Sequence, residues 1–257
     1  MIYDHDAQIA YCAIGKTSST SWLTLMAKES LKRKGKSDDE LEERHIHGDI
    51  KPFGLEKGPY RNKYANYTKF LVVRNPYDRL ASAYRDKGLR RTNHNGEERS
   101  PYVDIRDLVI KKEGKDVWEK QDGTVTFEQF IKYVFKGKPN NFHWRAQSEV
   151  CDPCHIQYDY IMRTETMHRD SKHFLFDIYP EAELRLQNPT TLGRKTLPIS
   201  KTQSTSLAQY YCDMSKKTLH HLREIYKQDM VLFGYEFSSK RSIASCGYSS
   251  SDDEECC

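Results

Sequence analysis

The feature that most constrains the fold of this chain is the apolar run Phe70-Leu71-Val72-Val73. An unbroken run of this kind, without alternating polar residues, is typical of a central strand in a parallel sheet that is covered on both faces. Arg74 follows the run directly, and Asn75-Pro76 then opens a helix predicted over 77–87, since proline is tolerated in a first helical turn. The sequence therefore predicts a strand that delivers a cation to its carboxyl end, where ligands bind in α/β sheets.

A second strand-loop-helix unit lies near the N-terminus. Residues 9–14 are predicted to form a short buried strand and residues 22–34 a helix. Backbone N–H groups and the positive end of the helix dipole meet at the loop between them, so anions bind there readily. Lysine adds a charge to this loop and the hydroxyl side chains add donors. The predicted anion site consists of Gly15, Lys16, Thr17, Ser18, Ser19, Thr20 and Ser21.

Further elements of an α/β fold follow along the chain. Thr126 and Gln129 have the spacing of a capping box, which predicts a helix over 127–135. We also predict a strand in the segment Tyr158-Asp159-Tyr160-Ile161 and a helix over 215–228.

The length of 257 residues suits one large domain, and no long flexible linker interrupts the chain. We predict a single domain over 1–237, in which the polar residues 88–123 form an irregular surface insertion. Residues 238–257 are of low complexity and are predicted to be disordered. No apolar segment approaches the roughly 20 residues that span a bilayer, and the N-terminal residues do not resemble a signal peptide. The sequence as given thus predicts a soluble chain.

The formal net charge of +4 hides an uneven distribution of charged residues. Basic residues cluster at 28–36, 57–69 and 85–91, and a cleft lined by them would attract a nucleotide phosphate or an acidic polysaccharide. Each cluster taken alone is better explained as a solvated helix face.

Seven cysteines are enough for one or two disulfides in an oxidising compartment. The segment Cys151-Asp-Pro-Cys154 also has the spacing of half a zinc site, with His143 and His155 nearby. A second pair of ligands at a suitable spacing is missing from the sequence, so a disulfide is favoured and no metal site is predicted.

Two cations at separate strand ends predict a ligand with two separated anionic groups. Arg74 can bind a phosphate with two parallel hydrogen bonds, and Ser82 on the following helix can donate a third. ATP fits poorly because its phosphates are contiguous and share a metal ion. The P-loop pattern G-x-x-x-x-G-K-[ST] also needs a glycine at the position of Ala10. 3′-Phosphoadenosine 5′-phosphosulfate, by contrast, carries one phosphate on the ribose and a phosphosulfate at the other end. A P-loop kinase that binds ATP is the alternative.

Four blocks of the sequence stand out as motifs: YCAIGKTSSTSW, KFLVVRNPYDRLASAYRDK, HWRAQSEVCDPCHIQYDYIMRTETM and IYKQDMVLFGYEF. The first resembles the 5′-phosphosulfate loop of the Golgi carbohydrate sulfotransferases, and the second resembles the 3′-phosphate motif of that family. The third and fourth are similar to later blocks of the same family. Together they cover most of residues 9–237, and the resemblance is greatest to the chondroitin, dermatan and HNK-1 types.

The resemblance implies the sulfotransferase fold, a P-loop-like parallel sheet flanked by helices. It implies that Lys16 and its loop bind the 5′-phosphosulfate and stabilise the leaving group, and that Arg74 and Ser82 bind the 3′-phosphate. The implied activity is transfer of a sulfuryl group from this donor to a hydroxyl of a glycosaminoglycan or glycoprotein glycan, without a metal ion or nucleic acid. The implied location is the Golgi lumen or membrane, although the family's N-terminal membrane anchor is not visible in this chain.

Sulfuryl transfer also needs a base for the acceptor hydroxyl, and histidine is suited because its pKa lies near the working pH. Among His45, His47 and His143 we predict His45, because its H-x-H segment resembles that of the uronyl 2-O-sulfotransferases. Gly15 and Asn75 stand where the family usually has a proline and an acidic residue. A glycan-binding protein without turnover is therefore a second alternative.

Overall fold

The computed structural model describes residues 1–37, 48–89, 96–98, 102–137, 140–179, 207–212 and 214–236. Within these ranges the strands are β1 (Ile2–Asp4), β2 (Ile9–Cys12), β3 (Leu55–Lys57), β4 (Thr68–Val73) and β5 (Tyr160–Arg163). The helices are α1 (Ser19–Arg33), α2 (Pro76–Ala83), α3 (Tyr102–Glu113), α4 (Lys115–Lys120), α5 (Phe127–Gly137), α6 (Gln147–Cys151), α7 (Met167–Ile178), α8 (Leu207–Cys212) and α9 (Lys216–Leu232). None of these helices is long and apolar enough to cross a membrane.

The described residues fall into two compact units. The first contains Met1–Arg74 and the described part of Gln147–Thr202, and the second contains Asn75–Ala146 and the described part of Gln203–Cys257. The whole described sheet belongs to the first unit, together with α1, α6 and α7.

The strands form one sheet in the order β3-β1-β2-β4-β5. β2, β4 and β5 are parallel, whereas β1 runs antiparallel to both β2 and β3. In the parallel part, Phe70 of β4 lies between Tyr11 of β2 and Tyr160 of β5. The predicted α/β fold with a parallel sheet is thus confirmed. The sheet as a whole is mixed, because the short strands β1 and β3 add an antiparallel edge that we did not predict.

β4 has a parallel neighbour on each edge, and every residue from Lys69 to Val73 is buried. The Lys69 ammonium is satisfied in this position, because Nζ donates to the carbonyls of Ala65 and Tyr67 at 2.7 and 2.8 Å. Asp159 lies 3.7 Å from Nζ, accepts a hydrogen bond from the Lys69 N–H at 2.7 Å and donates its own N–H to the Lys69 carbonyl at 2.9 Å. These contacts fix the register in which β5 joins β4.

Aromatic side chains form the core between the sheet and helices α1 and α7. The Phe70 ring stacks on Tyr11 with centroids 4.5 Å apart, and it contacts Phe174 at 4.4 Å and Trp22 at 5.3 Å. All four side chains are buried. Truncating one buried ring of this kind destabilises a protein by about 3–5 kcal/mol. This cluster therefore holds α1, and the loop that precedes it, in a defined place against the sheet.

The second unit has a helical core of its own. Buried side chains from α2, α3, α5 and α9 belong to one cluster, in which the rings of Phe130 and Trp144 meet edge to face at 5.4 Å. Tyr226 of α9 donates its hydroxyl to the Trp144 carbonyl at 2.6 Å. The helix predicted over 215–228 is confirmed as α9.

Residues 88–123 were predicted to be irregular, and this prediction is wrong for the part that the structure describes. That part contains α3 and α4, and Tyr102, Ile105 and Val109 of α3 are buried. Their spacing of three and four residues places them on one face of the helix. The charged residues between them masked this periodicity in the sequence.

Local signals at other helices were more reliable. The capping box is confirmed, because the Gln129 N–H donates to Thr126 Oγ1 at 3.2 Å and the Thr126 N–H donates to Gln129 Oε1 at 2.9 Å. The helix predicted over 77–87 is observed as α2 followed by a π-helical turn at Tyr84–Gly88. The single domain over 1–237 stays a prediction, and the predicted tail lies outside the described residues.

A disulfide joins Cys12 at the end of β2 to Cys151 at the end of α6, 139 positions away in the sequence. Cys151 therefore pairs across the first unit and not with Cys154. Because its sulfur is in a disulfide, Cys151 does not offer the thiolate that a zinc site would need. No group of three or more side chains suited to a metal ion occurs within the described residues.

Replacing Cys12 and Cys151 together by serine is expected to lower the free energy of unfolding by about 2–5 kcal/mol, because the bond restricts a long loop in the unfolded chain. Urea denaturation followed by tryptophan fluorescence measures the change. Cys154→Ser is the matched control, since Cys154 is exposed and outside this bond, and it should change stability by less than about 0.5 kcal/mol. A double variant as stable as the control would contradict the disulfide.

Candidate anion-binding site

The loop between β2 and α1 has an unusual backbone. Lys16 and Ser18 both have left-handed conformations, with φ of 71° and 63°. Such conformations are unfavourable for residues other than glycine, and they concentrate at ligand-binding and active sites. Thr17 between them is buried, and its Oγ1 donates to the Ile14 carbonyl at 2.9 Å. The packing of Thr17 therefore holds the loop in its strained shape.

Helix α1 begins directly after this loop, with Ser18 at its N-cap position. The Ser18 side chain makes no capping hydrogen bond, and the first turn, Ser19–Trp22, contains no acidic residue. The first N–H groups of a helix carry the positive end of its dipole, and the helical hydrogen bonds of α1 begin with the Trp22 N–H, which donates to the Ser18 carbonyl at 3.2 Å. Residues 15–21 are thus brought together as predicted, at the carboxyl end of β2 and the start of α1.

Tyr11 of β2 lies close to this loop in the sequence and is completely buried. Burial raises the pKa of its phenol above the usual range. The side chain is therefore neutral at physiological pH and adds no negative charge that would repel an anion.

Arg74 connects the second predicted unit to this loop. It follows the end of β4, its side chain is half-buried, and its Nη1 donates to the Lys16 carbonyl at 3.3 Å. Both strands are parallel neighbours, so their carboxyl ends lie at the same edge of the sheet. The structure therefore brings the Arg74 side chain to the main chain of Lys16, in the loop that follows the neighbouring strand.

Ser82 is the remaining residue of the predicted phosphate sites. It lies in α2, which belongs to the second unit, and it is half-buried. Its role beside Arg74 stays a prediction.

The candidate bases are only partly described. His45 and His47 lie outside the described residues, so the choice of His45 stays a prediction. In the second unit, Nδ1 of His143 is 2.9 Å from Oδ1 of Asn141, and the His143 N–H donates to the same oxygen at 3.0 Å. Because a carbonyl oxygen only accepts, Nδ1 carries the proton and Nε2 has the lone pair of the neutral ring. This tautomer is suited to accept a proton at Nε2.

Two residues in the family-like blocks were missed by the sequence analysis. Arg79 is almost fully buried, and it donates to the carbonyls of Arg145 at 2.7 Å and Phe142 at 3.1 Å, on both sides of His143. Gln147 is completely buried and bonds to the backbone of Arg74. Both act through long-range contacts with main-chain groups, which leave no periodic signal in the sequence.

The α/β fold places a candidate anion site at the carboxyl edge of its parallel strands, and comparison with known proteins defines the class. The profile of the sulfotransferase family matches residues 1–236. The chain belongs to this family. The resemblance seen in the four sequence blocks is therefore confirmed at the level of the family.

Individual relatives are carbohydrate sulfotransferases by name. The chain is 28% identical to carbohydrate sulfotransferase 11 of Rattus norvegicus over 248 residues, which is 91% of this chain and 66% of that protein. It is 28% identical to carbohydrate sulfotransferase 10 of Xenopus laevis over 249 residues, which is 89% of this chain and 65% of that protein. The chain thus spans about two thirds of the length of these relatives. No solved structure matches it at a significant level.

The left-handed conformation of Ser18 can be tested by substitution. Ser18→Gly is expected to raise the free energy of unfolding by at most about 1 kcal/mol, because glycine adopts this conformation without strain and only part of the gain is offset in the unfolded chain. Ser18→Val should lower it, by about 1 kcal/mol or more, since a β-branched side chain tolerates positive φ poorly. Urea titration compares the two, and equal stabilities would argue against the conformation.

Proposed function

We propose that this protein transfers a sulfuryl group from 3′-phosphoadenosine 5′-phosphosulfate to a hydroxyl group of a glycosaminoglycan or glycoprotein glycan. The observation that carries the proposal is the hydrogen bond from Arg74 to the Lys16 carbonyl, which places Arg74 beside the loop that carries Lys16. Membership of the sulfotransferase family and the names of the carbohydrate sulfotransferase relatives support the same reaction.

The donor has one anionic group on each of two ribose positions, and we assign each group to one strand end. Lys16 and the N–H groups and hydroxyls of residues 15–21 would bind the 5′-phosphosulfate, where the helix dipole favours negative charge. The Arg74 guanidinium would bind the 3′-phosphate through parallel charge-assisted hydrogen bonds. Ser82 is assigned to the same phosphate on the resemblance alone.

The reaction moves one sulfuryl group between two oxygens. The sulfur–oxygen bond to the 5′-phosphate breaks, a sulfur–oxygen bond to the acceptor oxygen forms, and the hydroxyl proton passes to a base. 3′-Phosphoadenosine 5′-phosphate is released. In this proposal Lys16 neutralises the charge that grows on the leaving phosphate oxygen, an effect worth about 3–4 kcal/mol in a site that excludes water. Positioning of the two reactants supplies much of the remaining acceleration.

The compartment and the acceptor follow from separate observations. Disulfides persist in oxidising compartments, so the Cys12–Cys151 bond supports a luminal location, and we propose the Golgi lumen. The motif resemblance favours a chondroitin- or dermatan-like acceptor. Several exposed basic residues, among them Arg61 and Lys63, would favour an acidic polysaccharide over a neutral one.

Binding of the product nucleotide tests the donor assignment. We expect 3′-phosphoadenosine 5′-phosphate to bind at least about tenfold more tightly than ATP, because its two separated phosphates match two separated cations. Calorimetry in the presence of EDTA measures both affinities. Equal affinities, or binding that is lost on chelation, would favour a P-loop kinase instead.

Turnover is tested with donor that carries radiolabelled sulfate and a panel of desulfated glycans. Label on chondroitin or dermatan is the expected result. A protein that binds the nucleotide and the glycans but transfers no label would be a binding protein without turnover.

The base is tested by substitution of histidines. His45→Ala is expected to lower kcat by about 100-fold or more while donor affinity stays nearly unchanged, which is the usual share of general-base catalysis. Lys16→Ala should damage both donor affinity and kcat, since it removes charge at the phosphosulfate. His47→Ala and His143→Ala are the controls. Loss of turnover in His143→Ala alone would assign the role to His143 instead.

A further inference from the structure

The Gln147 side chain makes two hydrogen bonds to the backbone of one residue. Its Oε1 accepts from the Arg74 N–H at 2.9 Å, and its Nε2 donates to the Arg74 carbonyl at 2.9 Å. The side chain is completely buried. These two bonds fix the orientation of the Gln147 amide relative to the Arg74 backbone. A rotation of the amide by about 180° would swap its oxygen and nitrogen and break both bonds.

These bonds occur where the sheet pairing ends. The register of β4 with β2 extends to Leu71, opposite Cys12, and the register with β5 extends to Val73, opposite Arg163. Arg74 is the next residue. Within β4, the neighbouring strands provide the hydrogen-bond partners of the backbone. At Arg74 the Gln147 amide provides both partners instead, so it extends the pattern of sheet hydrogen bonds by one residue.

A fixed backbone at Arg74 sets the point and direction from which its side chain departs. Nη1 reaches the Lys16 carbonyl at 3.3 Å, so the side chain is directed towards the loop between β2 and α1. Gln147 is also the first residue of α6, whose last residue, Cys151, is bonded to Cys12 of β2. The short helix is thus attached at one end to the residue after β4 and at the other end to β2.

We propose that Gln147 is a positioning residue that sets the affinity for the donor nucleotide through Arg74. The inference rests on the proposed function, because it requires Arg74 to bind a phosphate of the donor. Gln147 is too deeply buried to meet the nucleotide itself. Its contribution depends on Arg74, and it disappears when the Arg74 side chain is removed.

A double-mutant cycle tests this dependence. The dissociation constant of 3′-phosphoadenosine 5′-phosphate is measured by calorimetry for the wild type, Gln147→Met, Arg74→Ala and the double variant. Gln147→Met keeps the length of the side chain and removes both hydrogen bonds. We expect it to weaken binding about tenfold or more, and Arg74→Ala about 30-fold or more. In the double variant, binding should be within about twofold of Arg74→Ala alone.

The chain offers a matched control for loss of a buried glutamine. Gln129 is also buried, and its amide bonds to Thr126, Glu113 and Gln121 in the second unit. Gln129→Met should lower the melting temperature and leave the dissociation constant unchanged. Gln147→Glu is the second variant if Gln147→Met does not fold, since it keeps the shape and the acceptor but loses the donor, and it should also weaken binding.

The outcomes separate this inference from the function on which it rests. No binding of the nucleotide to the wild type, or full affinity in Arg74→Ala, would overturn the assigned site and this inference with it. Affinity lost in Arg74→Ala but retained in folded Gln147→Met or Gln147→Glu would overturn this inference alone. Equal losses from Gln147→Met in the presence and absence of the Arg74 side chain would also overturn it, because Gln147 would then act independently.

Discussion

The pairing of β4 with a parallel neighbour on each edge is the interaction on which the rest of the site depends. Because parallel strands point in the same direction, the residues that follow β2 and β4 meet at one edge of the sheet, whatever their distance in the sequence. Lys16 and Arg74 are 58 positions apart and are hydrogen-bonded there. At the opposite end of β4, Lys69 and Asp159 fix the register with β5. The geometry of the anion site is therefore controlled from both ends of the same strand.

The block KFLVVRNPYDRLASAYRDK contains Lys69, Arg74 and Arg79, and these three cations differ in burial and in their partners. Lys69 and Arg79 are buried, and their charged groups donate hydrogen bonds to main-chain carbonyls. Arg74 is half-buried and points to the Lys16 loop. A buried cation needs such partners because water no longer solvates it, whereas a partly exposed one can still receive a ligand. The motif resemblance assigns a phosphate to Arg74 alone among these three cations.

The sequence could predict the parts of this fold that depend on local patterns. β4 followed from its unbroken apolar run, and the loop before α1 followed from the polar residues between a predicted strand and a predicted helix. β1 and β3 are only three residues long and include Asp4 and Glu56, so no strand pattern marks them. The buried Asp4 carboxylate has partners far along the chain, because it pairs with Arg33 and accepts a hydrogen bond from the Tyr179 hydroxyl at 3.5 Å. Gln147 was missed for the same reason, since its partner is 73 positions away.

Arg74 is the last residue before the chain leaves the first unit, and Gln147 is the first residue on its return. The two hydrogen bonds between them hold the exit and the re-entry points side by side. Residues 75–146 therefore leave and re-enter the first unit at neighbouring points, although α9 contributes to the core that they form. The entropy of closing a loop grows only slowly with its length. A change in the length of a loop within this segment therefore need not move the strand end from which the segment departs.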